Sequence, residues 1–119
     1  MRKLLRLFLA FLALVAMGNM CPPKAPKIVP IRPEPGSTVH AGPVEIVVVV
    51  TDDYEVKSVL YHFPGADPVP AHCCPPDTYW LFWDASTVEQ NQWDTIRVRA
   101  EDHDEMVTWA DLSYFVVAK

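Results

Sequence analysis

Apolar and polar positions alternate with a period of two along much of the chain. In Val44-Glu45-Ile46-Val47-Val48-Val49-Val50-Thr51, Glu45 marks the solvent side, so Ile46, Val48 and Val50 face inward. Asp94–Asp102 alternates more cleanly, with Ile96, Val98 and Ala100 inward and Arg97 and Arg99 outward. β-Branched side chains suit a pleated, half-buried surface, so both runs predict strands. Further strands are expected at Val56–Phe63, at Tyr79–Trp83 with Tyr79, Leu81 and Trp83 on one face, and at Leu112–Ala118. The two long runs break into Asp52-Asp53 and Glu101-Asp102, because Asp side chains compete for backbone hydrogen bonds and favour turns. Glu34-Pro35-Gly36-Ser37 and Gly42-Pro43 read as turns, Pro64–Thr78 as a long loop with five prolines, and Asp84–Trp93 as a polar connection. About seven short strands separated by turn signals predict an all-β antiparallel sandwich over residues 27–119.

The N-terminus departs from this pattern. Arg2, Lys3 and Arg6 precede an eleven-residue apolar run, Leu7–Met17. A membrane-spanning helix needs about 20 apolar residues, so the run fits a signal peptide over residues 1–18, cleaved after Gly18. Residues 19–26 form a proline-rich linker. Six prolines between Pro22 and Pro35 make an extended stalk, whose second half can serve as an edge strand. Cys21 leaves a second reading open. A cysteine closely after the apolar run resembles a bacterial lipoprotein start, although Gly18-Asn19-Met20 departs from that pattern. Both readings export the chain to the periplasm, the cell surface or the medium. Membrane contact is then limited to the signal peptide or a lipid on Cys21.

Charge narrows the partners. The chain carries fifteen Asp/Glu and ten Lys/Arg; without the three N-terminal cations the balance is −8. Such acidity repels phosphate backbones and excludes a nucleic-acid partner. Three cysteines, Cys21, Cys73 and Cys74, form an odd set in an oxidising compartment. Cys21 is lipidated, or it bridges to Cys73 or Cys74; the pairing stays open. Ser58, Ser86 and Ser113 have no motif around them, and the four histidines form no dyad. The residues therefore predict a chain that is not an enzyme.

Four motifs in order resemble the bacterial Ig-like domains of exported surface proteins and multidomain enzymes. They are Pro35-Gly36-Ser37-Thr38-Val39, the valine strand ending Thr51-Asp52-Asp53, Tyr79-Trp80-Leu81-Phe82-Trp83-Asp84, and Ile96-Arg97-Val98-Arg99-Ala100-Glu101-Asp102. The match covers roughly residues 26–117. One departure is His103-Asp104-Glu105-Met106, where the family often has a Gly-Asn turn. The resemblance implies an Ig or fibronectin type III-like sandwich with a recognition or spacer role at the cell envelope, contacting an envelope or extracellular protein or glycan.

It also implies two sites. The turns after the first long strand and before the last strand would share one pole, gathering Asp52, Asp53, Glu101, Asp102 and Asp104. Calcium takes six to eight oxygen ligands, so this pole is the candidate metal site, and the alternative function is an envelope lipoprotein that binds calcium or another metal there. No other cofactor is expected. The first long strand and the aromatic strand would pair in one sheet, giving an outward contact surface of Val47, Val49, Trp80 and Phe82.

Overall fold

The computed structural model describes residues 24–74 and 77–119. The signal peptide, Cys21 and the start of the linker lie outside the described residues. Nine strands follow in chain order: β1 Lys27–Arg32, β2 Thr38–His40, β3 Pro43–Thr51, β4 Val56–His62, β5 Val69–Pro70, β6 His72–Cys74, β7 Thr78–Asp84, β8 Gln92–Asp102 and β9 Val107–Val117. A single 3₁₀ turn, Ala85–Thr87, joins β7 to β8. One sheet has the order β1-β3-β7-β6 and the other β2-β9-β8-β4-β5. Among the described residues only β2 and β9 pair in parallel. The described residues form an all-β sandwich, as their alternation predicts.

The core lies between the sheets and is built from the predicted inward positions. Ile46, Val48 and Val50 of β3 and Leu81 and Trp83 of β7 meet Ile96, Val98 and Ala100 of β8. Burying each larger aliphatic side chain contributes about 1.5–3 kcal/mol. Two tyrosines tie the layers together. The Tyr61 hydroxyl on β4 lies 3.1 Å from the carbonyl oxygens of both Ile46 and Tyr79 across the sandwich. Tyr114 on β9 donates to the Pro33 carbonyl at 2.8 Å, where the chain leaves β1 for the other sheet. That crossing turns at Gly36, whose φ of +90° suits glycine, and its N–H bonds to the Ser113 carbonyl at 2.7 Å.

Three differences from the sequence reading have physical causes. Pro64–Thr78 is not wholly loop. It holds the edge strands β5 and β6, two and three residues long, too short to show a period. Pro70 sits on an edge, where its missing N–H is tolerated. β2, also three residues, was hidden for the same reason. β9 starts at Val107 rather than Leu112, because its first half reverses the expected polarity: Trp109 faces outward while Thr108 and Ala110 face inward.

Candidate functional site

The outer face of the four-stranded sheet carries the predicted contact residues. β3 pairs with β7 so that Glu45 faces Phe82, Val47 faces Trp80 and Val49 faces Thr78. Strand alternation turns these residues away from the core. Val47 is only 3% exposed and floors a groove of about 410 Å³. Val49, Ile31, Thr78 and Trp80 line its walls, and the Arg32–Glu45 ion pair, 2.7 Å, closes one side. Trp80 is held between His72, 4.5 Å between ring centroids, and Phe82, 6.0 Å and edge-on. Phe82 stands 55% exposed at the rim. The four residues are brought together, with Val47, Val49 and Trp80 lining the recess and Phe82 beside Trp80.

The acidic pole has a different geometry. Val56 pairs with Asp102, so the 52–55 turn and the 103–106 turn share one end, and His103 Nε2 lies 3.8 Å from Glu55. Within that end the carboxylates diverge. Glu101 and Asp102 are consecutive strand residues and point to opposite faces. Glu101 faces outward and accepts from Arg99 at 2.8 Å and Lys57 at 3.4 Å. The Arg99 hydrogen bond, above all, holds its carboxyl below the usual range. Asp102 faces inward at 1% exposure, and its Oδ1 accepts the backbone N–H groups of Asp104 and Met106, each at 2.9 Å. Those bonds shape the β8–β9 turn, in which Glu105 takes a left-handed φ of +64°. Asp52 and Asp53 instead line a hollow of about 250 Å³ with Lys24 and Lys27. Among the described residues no group of three or more His, Cys, Asp or Glu is placed to hold a metal ion.

Cys73 carries a free, exposed thiol on β6, opposite Tyr79. It lines a hollow of about 340 Å³ with Glu55, Asp77 and Tyr79. Burial, and then the neighbouring Cys73, push the Tyr79 phenol up to about 12.

The five-stranded sheet has an aromatic outer face that the sequence reading missed. Trp109 on β9 packs against His62 on β4, 5.1 Å between rings, and beneath the Arg97 guanidinium, 4.6 Å from its ring centroid. Arg97 also donates from Nε to Asp111 at 2.9 Å. Farther along, Trp93 meets Phe115 edge-on at 5.6 Å. The available signal was Trp109 two residues before Asp111, an aromatic at an outward strand position.

No protein-family model and no curated protein matches the chain. Solved structures do. An endo-β-1,4-mannanase from Thermotoga petrophila superposes with a TM-score of 0.69 at 11% identity, over 81% of this chain and 20% of that one. An engineered protein gives 0.59 at 18% identity, over 81% and 21%. A modular endo-β-1,4-mannanase from Cellulomonas fimi gives 0.54 at 18% identity, over 83% and 20%. This chain thus spans about one fifth of each neighbour, and the likeness is one of fold alone. It corrects the expectation that the chain is not an enzyme. Sandwiches of this fold form part of glycoside hydrolase chains, so the missing motif around Ser58, Ser86 and Ser113 does not exclude catalysis.

Proposed function

We propose that the chain is an exported Ig-like recognition or spacer module of the bacterial cell envelope, and that the outer face of the four-stranded sheet is its contact with an envelope protein. The groove floored by Val47 and walled by Val49, Ile31 and Trp80 carries this reading. An apolar recess with a single ion pair at its side and an aromatic at its rim has the chemistry of a protein interface, whose centre is apolar and whose border is polar. Aromatic anchors such as Trp80 account for most of the binding energy in such contacts. The strand order supports the Ig-like assignment: β1, β3, β7 and β6 correspond to strands A, B, E and D, and β4, β8 and β9 to C, F and G. Export rests on the basic N-terminus and the short apolar run.

Co-sedimentation of the purified protein with the envelope fraction of its source cells tests the contact. Trp80→Ala combined with Phe82→Ser should weaken it about tenfold or more, while the protein stays folded with a melting temperature lower by about 4–8 °C. A double variant that sediments like the wild type overturns the reading.

A further inference from the structure

We propose that the outer face of β8 and β9 binds an acidic polysaccharide, a linear chain of uronic-acid sugars lying along the two strands. This site lies on the opposite side of the sandwich from the groove and does not depend on it.

Both strands are interior, with β8 between β4 and β9 and β9 between β8 and β2. β4 pairs with β8 only from Arg97 to Asp102 and β2 with β9 only from Phe115 to Val117, so a peptide strand added at either free edge would lie beside this outer face rather than on it. A ligand on this face meets side chains only. Two exposed indoles bracket it, Trp93 at 57% and Trp109 at 43%. Trp109 faces Arg99 across the pair, so the indoles stand six strand positions apart, about 20 Å. Between them run two polar rows: the Thr95–Ser113 hydroxyl pair, 2.9 Å, and the Arg97–Asp111 ion pair. This stretch offers hydroxyls and an ion pair where a peptide anchor needs apolar surface. A pyranose ring suits it, with a C–H face for an indole and an edge of hydroxyls for Thr95, Ser113 and Asp111.

Charge selects the acidic kind of sugar. The face gathers Lys57, Arg97 and Arg99 against Glu101 and Asp111, three cations to two carboxylates, on a chain whose net charge is −5. Arg97 donates from Nε to Asp111 while its guanidinium carbon lies 4.6 Å from the Trp109 ring centroid. Its terminal nitrogens have no acceptor among the described residues, which leaves a planar donor fork held ready for a carboxylate. Arg99 flanks the same ring at 5.9 Å. A uronate placed there would direct its carboxylate to Arg97, whose guanidinium already covers the Trp109 ring, while the sugar at the other end of the stretch stacks on the exposed Trp93.

Native affinity electrophoresis of the full chain tests this, with polygalacturonate, neutral glucomannan or poly-L-glutamate in the gel. The acidic overall charge opposes unspecific capture by polyanions, so retardation reports the site. Polygalacturonate should retard the protein, less so as salt rises. Arg97→Gln and Trp109→Ala should each weaken retardation about tenfold, Trp93→Ala by a smaller factor, and Trp80→Ala not at all, with melting curves confirming that each variant folds. No retardation by polygalacturonate overturns the proposal. So does equal retardation by glucomannan that survives Arg97→Gln, equal retardation by poly-L-glutamate, or loss through Trp80→Ala.

Discussion

The two outer faces of this sandwich come from the same strand alternation and end as opposite kinds of surface. On the four-stranded sheet β3 turns Val47 and Val49 outward beside Glu45, and neighbours close over them until Val47 is buried in the floor of a groove. On the five-stranded sheet the outward positions of β8 are Thr95, Arg97 and Arg99, and their cross-strand partners Ser113, Asp111 and Trp109 neutralise or stack on them. One face becomes a recess and the other a polar stripe with an indole at each end. Alternation decides which side chains face outward, and the cross-strand partner decides what they become there.

The sharpest test of the first face lies within β7, where Trp83 points inward and Trp80 outward. Trp83→Ala should cost about 3–5 kcal/mol through lost burial and a residual cavity, measured by urea unfolding. That is a large share of a domain stability of about 5–15 kcal/mol. Trp80→Ala should cost about 1 kcal/mol. Equal losses would mean that the register of β7 is shifted by one residue.

Alkaline pH should separate the layers that carry both faces. Burial raises the phenol pKa of Tyr61, helped by Tyr114, and raises that of Tyr114 to about 12. The folded state therefore holds protons that the unfolded chain releases near pH 10. The contribution of these groups is complete below pH 10 and is lost as pH rises towards the folded values. Melting temperature should fall across that window together with a cooperative rise in phenolate absorbance. Gradual ionisation with no loss of structure would show that the two hydroxyls do not join the sheets.

At the acidic end, Asp102→Ala should cost about 1–3 kcal/mol, because the Asp104 and Met106 N–H groups lose their acceptor. Asp104, exposed in the same turn, should change stability by less than about 0.5 kcal/mol when made alanine. Similar losses at both positions would remove the distinction between a turn-forming acid and a solvated one.

The smallest effect belongs to the five-stranded face. Arg97→Ala should cost less than about 1 kcal/mol, because its pair with Asp111 is exposed on both sides. A larger loss in thermal melts would mean that Arg97 and Trp109 brace the fold rather than form a surface open to a ligand.

Much of this architecture is legible without coordinates. The valines of β3, the aromatic alternation of β7 and the Ile96-Val98-Ala100 row of β8 specify strands and inward faces, because a period of two has one solution once one side must be buried. The Asp-rich strand ends likewise announce their turns. The contact groove was legible only in part: Val47, Val49, Trp80 and Phe82 could be named from alternation, while the burial of Val47 depends on Arg32 and Trp80 arriving from neighbouring strands.

Alternation along the chain is therefore enough for the fold class, the core and the side of each long strand. Tertiary structure alone decided the short strands β2, β5 and β6, whose two or three residues form a strand only because an open edge supplies hydrogen-bond partners. It also decided the acids. The carboxylates of the two turns, Asp52, Asp53 and Glu55 with Glu101, Asp102, Asp104 and Glu105, read alike along the chain, yet pleating sends Glu101 outward to two cations and Asp102 inward to two backbone N–H groups. Trp109 shows the same limit: in the chain it is an apolar residue in a polar stretch, and only the pairing of β8 with β9 sets Arg97 over its ring. Periodicity is local and survives in one dimension, whereas a partner across a sheet exists only once distant segments have met.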